Sequence, residues 1–108
     1  MPEPPKSPGV MAAPNRALVT ARVRSCEPAE NIPGKWLLEV EFEASENRQG
    51  ANFARVGESA DAFTFVEGPI VDQLRSAAGS GGRIRAEAEY LGGPEGGSFQ
   101  LYDPQVLD

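Results

Sequence analysis

Three carboxylates recur at every second position of one short stretch: Glu39, Glu41 and Glu43 in "KWLLEVEFEA", residues 35 to 44. Carboxylates do acid–base chemistry or hold a hard cation only when they converge on a point. A strand instead sets alternate side chains in a row, about 7 Å apart. The pattern therefore predicts a solvated face. Cys26 is the single cysteine, and the chain has no histidine. A thiol with no histidine or second cysteine lacks the base or partner that would make it a nucleophile or part of a zinc site. The glycine pairs at 92–93 and 96–97 open no helix and precede no Lys-Ser/Thr, so they do not read as a phosphate loop. These residues predict no enzyme, no metal and no cofactor.

Two other groups of residues suit binding. "QGANFARVGES", residues 49 to 59, carries Phe53 and Arg55 between Gly50 and Gly57 and has no carboxylate from Ala51 to Gly57. Aromatic residues and arginine are the types enriched where protein interfaces concentrate their energy. As a binding loop, this stretch offers Phe53 and Arg55 to a protein partner. As a connection, it tucks Phe53 and Val56 onto the end of the fold. The second group is the clustered cations Arg22, Arg24, Arg83 and Arg85, the candidates for nucleic-acid contact. Charge opposes that role. The net charge is −6 and the pI about 4.6, and an acidic surface repels phosphate backbones and anionic membranes. Arg22 and Arg24 are expected to lie across from Glu39 and Glu41, where opposite charges contribute roughly 0.2–1 kcal/mol per pair.

The elements that position these residues are read from periodicity. "ALVTARVRSC", residues 17 to 26, alternates with Ala17, Val19, Ala21 and Val23 on one face. In residues 35 to 44, Trp36, Leu38, Val40, Phe42 and Ala44 oppose the glutamates. One buried and one solvated face is the mark of an antiparallel sheet. Residues 45 to 58 read as a long connection. "SADAFTFVE", residues 59 to 67, leaves its inner face open, since Ala60, Ala62, Thr64 and Val66 oppose Phe63 and Phe65. Bulk on both sides predicts cover on both. The period changes at residues 69 to 78, where Ile70, Val71, Leu74, Ala77 and Ala78 form a helical stripe. Pro69 suits its first position, Asp72 the positive end of its dipole and Gly79 its C-terminal cap. "RIRAEAEYL", residues 83 to 91, and "SFQLYDPQVL", residues 98 to 107, alternate again. Pro104 cannot donate to a ladder, so the last strand is expected to be interrupted or to lie on an edge there.

With 108 residues the chain has room for one domain. Residues 17 to 108 form it. Residues 1 to 16, with prolines at 2, 4, 5, 8 and 14, read as a Pro-rich tail. That segment has no apolar core behind basic residues, so it is not read as a secretory signal. No run of about 18 apolar residues occurs. The expected address is the cytoplasm, without membrane insertion.

Three strands, a helix and two strands form an order that resembles the OB-fold, a small five-stranded Greek-key barrel with its helix between strands three and four. The final "GGRIRAEAEYLGGPEGGSFQLYDPQVL" is similar to the last hairpin of many OB domains. An SH3-like barrel or an α+β roll is the alternative closure of the same elements. The resemblance implies a ligand surface on strands two and three, with the first and last inter-strand loops beside it. A single-strand binder needs a basic groove there with aromatics to stack bases, whereas this face carries glutamates. The expectation is a non-enzymatic interaction or assembly module, an accessory subunit of a larger complex. The alternative is a single-stranded nucleic-acid-binding OB-fold protein.

Overall fold

The computed structural model describes residues 13–93 and 96–107. Five strands and one helix follow in the order β1 (Arg16–Pro28), β2 (Lys35–Gln49), β3 (Ser59–Phe65), α1 (Pro69–Ser80), β4 (Arg83–Gly93) and β5 (Gly96–Val106). The strands close a barrel in the order β1-β2-β3-β5-β4, with β4 returning to β1. Every pairing is antiparallel except β3 with β5, which is parallel over Ala62–Thr64 against Phe99–Leu101. The protein is therefore mainly β, a closed five-stranded OB-like barrel with a short helix between β3 and β4.

Alternation fills the interior. Val19, Ala21 and Val23 of β1, Leu38, Val40 and Phe42 of β2, Ile84, Ala86 and Ala88 of β4, and Phe99 and Leu101 of β5 are all buried. The helix adds Leu74 and Ala77 to the same core. It starts at Pro69, whose missing N–H would be unpaired there anyway. It ends two residues beyond the expected span, on Gly81 rather than Gly79, because Gly81 takes the left-handed cap (φ 71°).

Three particulars differ from the sequence reading. β2 does not stop at residue 44 but continues to Gln49, because the start of β1 needs a partner: Leu18 pairs with Glu46 and Val19 with Ser45. The connection shrinks to residues 50 to 58. In β3 the small side chains face inward, with Ala62 and Thr64 buried, while Phe65 is 53% exposed, so the outer face lacks the expected cover. Thr64 meets the demand on a buried hydroxyl by donating to Leu101 O at 2.8 Å, across the parallel seam. Finally, β5 is not interrupted at Pro104. The register shifts against β4, Asp103 takes a left-handed conformation (φ 51°), and Pro104 is buried in the resulting bulge.

Candidate functional site

The outer face of β2 and β3 is built by direct cross-strand pairs. Lys35 lies opposite Phe65, Leu37 opposite Phe63, Glu39 opposite Asp61, and Glu41 opposite Ser59. β1 extends these rows, with Glu27 beside Leu37 and Ser25 beside Glu39. An apolar strip results. Leu37 is 44% exposed, Phe65 more so, and Phe63 meets Phe65 edge to face at 5.9 Å between ring centres. The Lys35 ammonium sits 4.5 Å from the Phe63 ring centre. A groove of about 480 Å³ runs here, lined by Leu37, Phe63 and the carboxylates Glu27, Glu39 and Asp61.

A second groove, of about 390 Å³, adjoins it through Asp61. Phe53, Arg55 and Glu58 form one wall, with Tyr90 and Phe99 at its base. It opens where β3 and β5 have not yet joined, since their ladder begins only at Ala62 and Phe99. Phe53 lies flat on Tyr90, with ring centres 4.8 Å apart and planes 23° apart. Tyr90 meets Phe99 edge-on at 5.2 Å, and Phe99 meets Phe42 at 5.0 Å. The loop aromatic is thus the outermost ring of a stack that reaches the core. Phe53 caps the barrel end and still shows 39% of its surface.

Tyr90 is held from three sides, by the Phe53 ring, by Asn15 and at Gly97. The Asn15 side chain pairs with its backbone, accepting from Tyr90 N at 2.8 Å and donating to Tyr90 O at 3.1 Å. Asn15 is buried, and Arg16 reaches the Tyr102 ring at 4.3 Å and Glu87 at 3.4 Å. Asn15 and Arg16 therefore pack against the barrel. Residues 1–12, and Glu95 in the last turn, lie outside the described residues. On the third side, Gly97 has no room for a side chain. A Cβ there would stand 2.6 Å from the Tyr90 hydroxyl and 2.5 Å from Leu91 O.

The four candidate arginines lie on β1 and β4 and line neither groove. Arg22 binds Glu43 at 2.8 Å and donates to Gly81 O at 2.7 Å. Arg24 binds Glu41, and Arg83 approaches Glu43 at 3.9 Å. Arg22 stands opposite Glu41 in register, yet the ion pairs run diagonally, to Glu43 and from Arg24 to Glu41. Two register shifts cause this, one leaving Arg24 and one leaving Glu43 as the extra residue. Arg85 has no ion pair among the described residues. Glu27, Glu39 and Asp61 likewise have none among them, whereas Glu41 and Glu43 are neutralised.

Cys26 is half-buried, and burial raises its thiol pKa, with Glu27 adding to the rise and Arg75 opposing it. Among the described residues, no three acidic or sulfur ligands gather as a metal site, and no helix is long and apolar enough to cross a membrane.

Sequence reasoning named Phe53 and Arg55, which share the second groove, and missed Leu37, Phe63 and Phe65. The signal for these was present but ambiguous, because Phe63 and Phe65 are in phase with each other against the small Ala62 and Thr64. Compared with known proteins, the chain matches no family model, no curated protein and no solved structure.

Proposed function

We propose that the protein is a non-enzymatic interaction module, an accessory subunit that holds a protein partner on the β2–β3 face. One observation carries the reading. Leu37 and Phe65, both exposed, and the half-buried Phe63 between them form an apolar strip on a sheet face whose other exposed positions are charged or polar. Burial of such a strip drives association. Phe53 and Arg55 extend the contact surface at the adjoining groove.

A second reading, single-stranded nucleic acid, is favoured by the exposed Phe65 and half-buried Phe63 on the surface where OB-folds stack bases. It is opposed by Glu27, Glu39 and Asp61 along that path, and by the engagement of Arg22, Arg24 and Arg83 with Glu41 and Glu43.

A displayed library of random peptides, panned on the full chain and then on the Leu37→Ser/Phe63→Ser variant, tests the reading. Enriched sequences should bind the wild type and lose the variant while its circular dichroism and melting temperature are kept. Equal binding to both proteins overturns the assignment of the surface. Labelled oligothymidylate supplies the opposing arm. Sub-micromolar binding at about 50 mM salt, where phosphate contacts are strongest, would put nucleic acid first.

A further inference from the structure

Part of the charge on the outside of the barrel is compensated. Arg22 and Arg83 share Glu43, Arg24 takes Glu41, and Arg16 lies within 4.0 Å of both Glu87 and Glu89. On the β2–β3 face Glu41 is paired with Arg24, but its neighbours Glu39 and Asp61 are not paired among the described residues. Glu39 and Asp61 stand directly opposite each other across an antiparallel pair. Side chains so placed have Cβ atoms roughly 5 Å apart, and like charges there destabilise the sheet. Glu27 lines the same groove, and among the described residues none of the three has an ion pair. Lys35, the nearest cation along the strand, is turned onto the Phe63 ring.

The uncompensated carboxylates lie next to the apolar strip in a fixed order. Along β3 the outward positions read Ser59, Asp61, Phe63 and Phe65, one side chain every second residue. The two grooves share Asp61, so together they follow β3 from Phe63 to the Phe53–Tyr90 ring pair. A ligand that matches this path is extended. It presents an apolar side chain to Leu37 and Phe63, and a cation two residues away to Glu39 and Asp61.

Resting on the reading of this face as a protein-docking surface, we infer that the occupant is an extended basic–apolar peptide segment of the partner. Its alternate residues pair an apolar side chain with Leu37 and Phe63, and a lysine or arginine with Glu39 and Asp61. The cation relieves the cross-strand repulsion that the free protein carries, so binding stabilises the sheet as well as the complex. The charge of the face excludes an acidic segment of the same shape. Arg55, at the far end of the path, sets the limit of the basic stretch.

The test uses the full chain and three capped fluorescent peptides of about eight residues, matching the length of β3 at about 3.3 Å per residue. In the first, leucine and lysine alternate at every second position with serines between. In the second, glutamate replaces lysine. In the third, the lysines are moved to one end. Anisotropy at about 50 and 500 mM salt separates electrostatic from apolar binding. The first peptide should bind at least about fivefold tighter than either other at low salt, a gap expected of exposed charge pairs. The gap should close at high salt and in Glu39→Gln/Asp61→Asn, which should also melt no lower than the wild type because a repulsion is removed. Equal binding of the lysine and glutamate peptides would overturn the basic partner while leaving the docking surface in place. No binding by any peptide would overturn the extended-segment inference, and the display experiment would then decide the docking surface separately. An unchanged gap in the double variant would show that the cation sits elsewhere.

Discussion

Replacing Phe53 by alanine should cost folding stability as well as contact surface. Phe53 is 39% exposed, so roughly three-fifths of its surface is covered, with its ring stacked on Tyr90. An aromatic side chain buries about 150–250 Å² when fully enclosed, which puts the covered part near 100 Å². At about 25 cal/mol per Å² the loss is about 2.5 kcal/mol, an upper value because the unfolded chain already hides some of that area. No sealed cavity forms, since the site is open to solvent, so the added cavity cost of a core truncation does not apply. A cost of about 1.5–2.5 kcal/mol should lower the melting temperature by roughly 6–15 °C in a domain of this size. Urea unfolding and calorimetry of Phe53→Ala, with Val56→Ala as a control at a residue 61% exposed, measure it directly. A shift under about 2 °C would refute the reasoning. It would mean that the Phe53–Tyr90 stack does not hold the 50–58 loop to the barrel.

Three further perturbations test the same end of the molecule. Asn15→Ala removes both hydrogen bonds to the Tyr90 backbone; urea midpoints should show a loss of about 1–3 kcal/mol, the cost of unpaired polar groups. Gly97→Ala should cost a similar 1–3 kcal/mol, roughly that of overpacking, and should alter near-ultraviolet dichroism as the Tyr90 ring is displaced. The phenol of Tyr102 has its pKa raised by burial, by its hydrogen bond to Glu89 and by that residue's charge, with Arg16 opposing. A pKa raised on folding stabilises the protein below the unfolded value of about 10, and the contribution is lost as pH rises through the folded value. The stability gap between wild type and Tyr102→Phe should therefore be constant up to about pH 9 and narrow above about pH 10.

Much of the barrel was legible in the sequence because alternation reports burial directly. Val19 to Val23, Leu38 to Phe42 and Ile84 to Ala88 each face inward as their period demands. The continuation of β2 through Ser45–Gln49 was not legible. Those residues are polar on both faces, and only pairing with the start of β1 makes them a strand. The orientation of β3 was ambiguous for a related reason. Residue volume alone favours burying Phe63 and Phe65, yet Phe42 of β2 and Phe99 and Leu101 of β5, on the strands flanking β3, already fill the interior, and Ala62 and Thr64 face it instead. The candidate site was half legible. Phe53 and Arg55 stood out by residue type, but the stack on Tyr90 joins positions 37 residues apart in sequence. The bond from Asn15 to Tyr90 spans 75 residues, and no local pattern encodes it.

The central claim is that an extended basic–apolar protein segment docks on the β2–β3 face. The most direct test is an amide NMR titration of the ¹⁵N-labelled full chain with the alternating leucine–lysine peptide. The account predicts saturable shift changes centred on Leu37, Glu39, Asp61, Phe63 and Phe65, extending toward Phe53 and Arg55 and absent from the Arg22, Arg24, Arg83 and Arg85 side. Changes centred on that arginine side, or none at millimolar peptide, would contradict it.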